Sequence, residues 1–168
     1  IQSNVTAFTV TGTLWYKQNG IGGAGHIWTG TPSGSAVNTL IVVEITGGLT
    51  SGILDQSAAA NDDLATPFTS NVTGATTQAN ELVLAFEYDN RSSGAITWGN
   101  GYTSLVDLSN TAGVTAAAAL LNVTSTGTQQ SSFTAAGVTE AVTWIATFKE
   151  AAGVGGTPIM GRSIWMTA

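Results

Sequence analysis

What this chain lacks narrows its chemistry before any motif is considered. It has no cysteine, so disulfides and thiolate metal sites are excluded. Charged residues make up 8% of it, against about a quarter in ordinary globular proteins. The basic residues are Lys17, Arg91, Lys149 and Arg162, no two of them neighbours. With a net charge of −6, no clustered cations exist to neutralise phosphates, and nucleic acid is excluded as a partner. His26 is the only histidine, so any Ser–His–Asp arrangement would need it. Gly25-His26-Ile27 offers no nucleophile motif beside it. A metal site with one His and no Cys would depend on carboxylates. No apolar run approaches the ~20 residues of a membrane span.

What replaces charge is Thr, Ser, Asn, Gln and Gly, beside 43% hydrophobic residues. Such a surface stays hydrated without charge, and its threonines favour extended chain. This composition fits an extracellular or virion surface. The 168 residues suit one domain, able to bury about two-thirds of its unfolded surface. The chain opens on Ile1, which reads as a processed, trimmed or incomplete start.

The clearest pattern lies in Gly137–Lys149. There Val138, Val142, Trp144, Ala146 and Phe148 share one side of an extended chain, and Thr139, Thr143, Thr147 and Lys149 the other. A period of two marks a strand with one buried face. Leu82, Leu84, Phe86 and Tyr88 repeat the design in Asn80–Tyr88, as do Ile41, Val43 and Ile45 in Asn38–Ile45. Ile1–Gln18 reads as one or two strands, His26–Thr29 as a short one, and Phe68–Val72 as another. Ser51–Ala60 is ambiguous between strand and helical turn, and Asn61-Asp62-Asp63 is expected to break it. Ile96–Trp98, the Asn100-Gly101 turn and Tyr102–Leu108 read as a hairpin. The alanine run in Val114–Val123 is assigned to a strand because Thr and Val flank it. Turns every 8–12 residues point to an all-β chain, an antiparallel β-sandwich of jelly-roll-like type spanning 1–149. Residues 150–168 read as a linker and an apolar tail expected to pack on its own domain or a neighbouring subunit.

In order along the chain come Leu14-Trp15-Tyr16-Lys17, Val43-Glu44-Ile45-Thr46-Gly47-Gly48-Leu49, Leu54-Asp55, Thr76 to Val83, Gly99-Asn100-Gly101-Tyr102-Thr103 and Trp144 to Lys149. This series resembles a group of Gly/Thr/Ala-rich jelly-roll-like β-sandwich domains of secreted bacterial proteins and bacteriophage structural proteins. The resemblance covers roughly Leu14 to Lys149 and implies a sandwich without catalytic residues. Members of that group carry more strands before the Trp-Tyr motif, so an edge or seam is expected to stand open here. A terminal segment would then be used between subunits by strand addition.

The acidic residues are the remaining place for catalysis. Glycosidases on such scaffolds pair two carboxylates. Glu87-Tyr88-Asp89 begins like an E-x-D-x-x-E motif, but residue 92 is Ser. Glu44, Glu81, Glu87 and Glu140 read as solvent-facing strand residues. Asp55 with Asn61-Asp62-Asp63, or Asp89 with Asn90, could offer oxygens to calcium, but turn formation by the Asx side chains is the favoured reading. No catalytic residue, metal or cofactor is therefore expected. Among the aromatics, Trp144 reads as core, and Trp98 with Tyr102 reads as the candidate exposed platform for a sugar. Ile159, Met160, Ile164, Trp165 and Met166 are the candidate inter-subunit contacts. The chain is thus expected to be a non-enzymatic structural protein of a virion exterior, such as a bacteriophage decoration, spike or tail-associated subunit. It would form homo-oligomers and touch other structural subunits. The alternatives are a secreted module binding cell-surface glycan, or an extracellular filament subunit joined by exchanged strands.

Overall fold

The computed structural model describes residues 3–7, 10–18, 29, 39–45, 47–63, 66–90, 95–109, 115–151 and 162–167. Twelve strands are present among them, and no helix. Five form the central sheet: β4 (Leu54–Asp63), β6 (Glu81–Asp89), β8 (Thr103–Ser109), β9 (Thr115–Val123) and β11 (Glu140–Lys149), in the order β4-β11-β6-β9-β8. Every strand pair is antiparallel. The expected all-β antiparallel sandwich is what the chain forms.

The alternation in β6 and β11 is real, but both faces are covered. On one face Leu82, Leu84, Ala146 and Phe148 form a buried cluster, extended by Leu14, Val43, Ile45, Ile53 and Leu54. Val142 and Trp144 continue it with Phe86 and Tyr88. The cover comes from the ribbon of β1 (Ser3–Ala7) with β2 (Val10–Leu14) and from β3 (Thr39–Glu44). The indole of Trp144 lies so close to Gly12 in β2 that a Cβ there would overlap the ring. On the opposite face Val83, Ala85, Ala119 and Ile145 pack under Tyr102 and Trp98. This face is covered by a three-stranded sheet, β5 (Phe68–Thr69), β10 (Ser132–Thr134) and β7 (Thr97–Trp98), in the order β5-β10-β7. Stacked Phe68 and Phe133, 5.1 Å between centroids, sit at its middle.

Burial on both sides explains the alanine run. β9 lies beside β6, where Phe86 and Tyr88 stand opposite Ala118 and Ala116. Large side chains on one strand are accommodated by small ones on the next, as close packing requires. The run is a strand, as its flanking residues predict.

Four expectations are corrected. Thr143 and Thr147 do not face water; both are buried, and the Thr143 hydroxyl donates to the Thr69 carbonyl at 3.1 Å. Glu81 and Glu87 are likewise buried, whereas Glu44 is exposed as expected. Asn61-Asp62-Asp63 does not break the preceding segment, because pairing with Glu140, Ala141 and Val142 carries β4 through it. The Asn100-Gly101 turn exists, with φ of 54° and 79° and a bond from the Tyr102 amide to the Gly99 carbonyl at 3.2 Å. It does not close a hairpin, however: β7 pairs with β10, and β8 with β9. The turn carries the chain from one sheet to the next.

Candidate functional site

The polar group with the most developed geometry lies where β4, β6 and β11 end together. Lys149 stands opposite Glu81 in the β6–β11 register. Asp55 reaches the same spot through a bulge. Along β4 and β11 the partners step from Ser57 with Ala146 to Leu54 with Phe148, three residues against two. The extra residue leaves Leu54 opposite Phe148 on the apolar side and turns Asp55 towards the polar side. Bulges re-aim side chains in this way. The Gln56 amide donates to the Thr147 hydroxyl at 3.1 Å, tying the bulge to β11.

A fourth element delivers Thr77. The segment 70–76 is joined to 127–131 by three reciprocal pairs. Ser70, Thr73 and Thr76 donate their amides to the carbonyls of Ser131, Gln129 and Gly127, at 3.1, 2.9 and 3.0 Å. Each hydroxyl accepts from the amide of the same partner, at 3.0, 2.9 and 3.2 Å. Buried hydroxyls at every third position thus do the work of a ladder. At the end of this run, Thr77 donates its amide to Asp55 Oδ2 at 2.5 Å and its hydroxyl to Oδ1 at 2.7 Å. Lys149 Nζ lies 3.1 Å from the same Oδ1.

The two carboxyls are driven apart in acidity. Burial alone would raise Asp55, but Thr77 and the Lys149 ammonium outweigh it and hold the group at about 2. Glu81 is pushed up to about 7, first by burial and then by Asp55 beside it, against the opposing pull of Thr147 and the Gln78 backbone. Its two oxygens are buried and reach no donor at full hydrogen-bond geometry, so the Thr147 and Gln78 contacts offset the burial only in part. An ionised carboxylate in that position would be uncompensated; as a neutral acid, Glu81 can donate to Asp55. The cluster therefore holds a proton, an anion and a cation side by side, an acid–base division of labour. It is also closed: the Asp55 and Lys149 side chains are 3% and 23% exposed, and Glu81 is 3% exposed. A polymeric substrate cannot reach the carboxyls.

The residues singled out from sequence are placed elsewhere. Tyr102 is only 7% exposed, and Trp98 packs against it and Phe133 at 6.3 and 5.7 Å. The pair does not offer the exposed platform expected of it, because the three-stranded sheet buries it against the central one. Among the described residues the exposed aromatics are Trp15 at 67% and Tyr16 at 38%, just past the end of β2. Tyr16 turns back edge-on to Phe148. His26, Ile159 and Met160 lie outside the described residues. Ile164, Trp165 and Met166 fall in β12 (Arg162–Thr167), opposite Val42, Ile41 and Leu40 of β3.

No group of three or more His, Asp or Glu side chains gathers as a metal site among the described residues. Asp55 and Asp62 occupy opposite ends of β4, about 20 Å apart at ~3.3 Å per residue, and cannot share an ion. Asn90 accepts the Thr139 and Glu140 amides at 3.1 and 3.2 Å, so its side chain ties together two distant segments rather than closing the local turn expected of it. Glu87 and Asp89 are sealed between the sheets at 2% and 0% exposure. Sequence reasoning missed Asp55, Glu81 and Lys149 as a group, since only strand register and a bulge unite them. Comparison with protein-family models, curated proteins and solved structures finds no match to this chain.

Proposed function

We propose that this chain is a structural subunit of an extracellular particle, a virion exterior being the favoured setting, and that it works by contact rather than chemistry. The observation carrying this reading is the exposure of Trp15 beside Tyr16. An indole two-thirds in water with a partly exposed tyrosine ring next to it offers an aromatic surface that another molecule can cover. Buried aromatics are also the residues that dominate subunit interfaces. The acids best placed for catalysis are sealed, which agrees with a non-enzymatic role. Ile164, Trp165 and Met166 remain proposed contacts in the same reading, carried on a strand that, among the described residues, pairs with β3 alone.

Sedimentation of wild type and Trp15→Ala tests it. The wild type should form a defined homo-oligomer, and the variant should dissociate at about tenfold higher concentration or more. Its folding stability should change by no more than about 0.5 kcal/mol, as for a surface substitution. A wild type monomeric at high concentration contradicts this reading. The exposed indole also favours a second one, a glycan-binding module that stacks a sugar ring on Trp15 rather than on the buried Trp98. A monomer whose glycan binding disappears in Trp15→Ala would replace the first reading with this one.

A further inference from the structure

We propose that Lys149 and Asp55 are the reacting pair of an intramolecular amide crosslink between β11 and β4, with Glu81 as the proton relay. The inference goes beyond the reading of the chain as a subunit and does not depend on it. Lys149 Nζ is 3.1 Å from Asp55 Oδ1, so the amine needs to slide only from that oxygen to the carboxyl carbon bonded to it, about 1.2 Å away, to reach a near-attack geometry. The backbone fixes this approach, since the Lys149 amide donates to the Ile53 carbonyl at 2.7 Å.

The chemistry balances with the groups present. In the minor state where a proton passes from the Lys149 ammonium to the Asp55 carboxylate, against the contacts that favour the ion pair, a neutral amine faces a neutral acid. The nitrogen lone pair forms the bond to Asp55 Cγ. The negative charge that develops falls on Oδ2, which the Thr77 amide already holds at 2.5 Å, the arrangement of an oxyanion hole. Glu81 gives its proton to the hydroxyl at Oδ1, the Cγ–Oδ1 bond breaks, and water departs. The surplus proton on nitrogen returns to Glu81, and the charge on Oδ2 collapses to the amide carbonyl. One water is the only product lost, and no oxidant or activated co-reactant is needed.

Two features of the molecule suit this chemistry. Glu81 is buried beside Asp55, and neither of its oxygens reaches a donor at full hydrogen-bond geometry, a setting that favours a proton-carrying acid over an ionised one. Burial of both carboxyls also keeps bulk water from hydrolysing the product. The crosslink would fasten the edge strand β4 to its neighbour in a chain with no cysteine for a disulfide.

Intact-mass measurement of the full chain, purified and incubated at neutral pH, tests the proposal. The expected mass is that of the sequence less one water, with proteolytic mapping joining the peptide of Asp55 to that of Lys149. Lys149→Arg, folded by circular dichroism, should have the full sequence mass. Glu81→Gln keeps the side chain's shape and should crosslink about a hundredfold more slowly, the contribution of a positioned acid. Folded wild type that keeps its full mass overturns the proposal. So does a water loss mapped within one peptide, as a cyclic imide at an Asp would give, or crosslinking undiminished in Glu81→Gln.

Discussion

The two faces of the central sheet are both covered and built differently. One carries Leu82, Leu84, Phe86, Trp144 and Phe148 under the β1–β2 ribbon and β3. The other carries Glu81, Glu87, Asp89, Thr143 and Thr147, with Val83, Ala85 and Ile145 among them, under the β5-β10-β7 sheet. The first face is held by contact area and shape, and the Trp144 indole N–H is buried in it without a hydrogen-bond partner. The second is held by a smaller apolar centre with polar groups towards its ends, where each must find a partner or shed its charge. Apolar content alone therefore does not reveal which face of a strand is covered.

The largest effect that separates the faces should come from Trp144→Ala. Removing the indole from its seat on Gly12 should cost about 3–5 kcal/mol in urea unfolding, by lost burial plus the cavity left behind. A cost near that of a surface change would mean the ribbon does not close this face. The polar face should respond to pH instead. Glu81 is raised from 4.5 to about 7 in the folded chain, so the folded state binds more protons across that interval. Stability is then fully present below about 4.5 and falls as pH rises to about 7, by about 3 kcal/mol at ~1.4 per unit. Asp55 works in the other direction. It is lowered from 3.8 to about 2, so its contribution is present above 3.8 and lost as pH falls towards 2. Greatest stability is expected near pH 4, and Glu81→Gln should remove the decline above it. The Glu81 part persists if Asp55 is crosslinked, because burial is its leading cause; the Asp55 part does not. A smaller effect, of opposite sign to most core substitutions, is expected at Tyr102. Its hydroxyl is buried without a hydrogen-bond partner, so Tyr102→Phe should be neutral or stabilising by up to about 1 kcal/mol. A clear loss of stability would mean the hydroxyl is satisfied.

The apolar face was legible because its signal is local. Val142, Trp144, Ala146 and Phe148 repeat every second residue, and that period alone fixes strand and side. The alanine run was legible for the same reason, through its Thr and Val neighbours. The polar face was not, because Thr143 and Glu87 look the same in sequence whether water or another sheet lies above them. What decides the matter is the β5-β10-β7 sheet, assembled from Phe68, Trp98 and Phe133, far apart in the chain. Asn100-Gly101 shows the same limit, since turn chemistry fixed the bend but not the strand that each arm would join. Asp55, Glu81 and Lys149 each sit at the end of a recognisable segment. Only the β6–β11 register and the β4 bulge bring the three together.

The most direct test of a doubly covered central sheet is the titration of Glu81 itself, followed by the NMR shift of its side-chain carboxyl carbon in the folded chain. The account predicts a midpoint near 7, with the carboxyl still protonated at pH 6. A midpoint near 4.5 would place Glu81 in water, and with it the polar face on the outside of the protein.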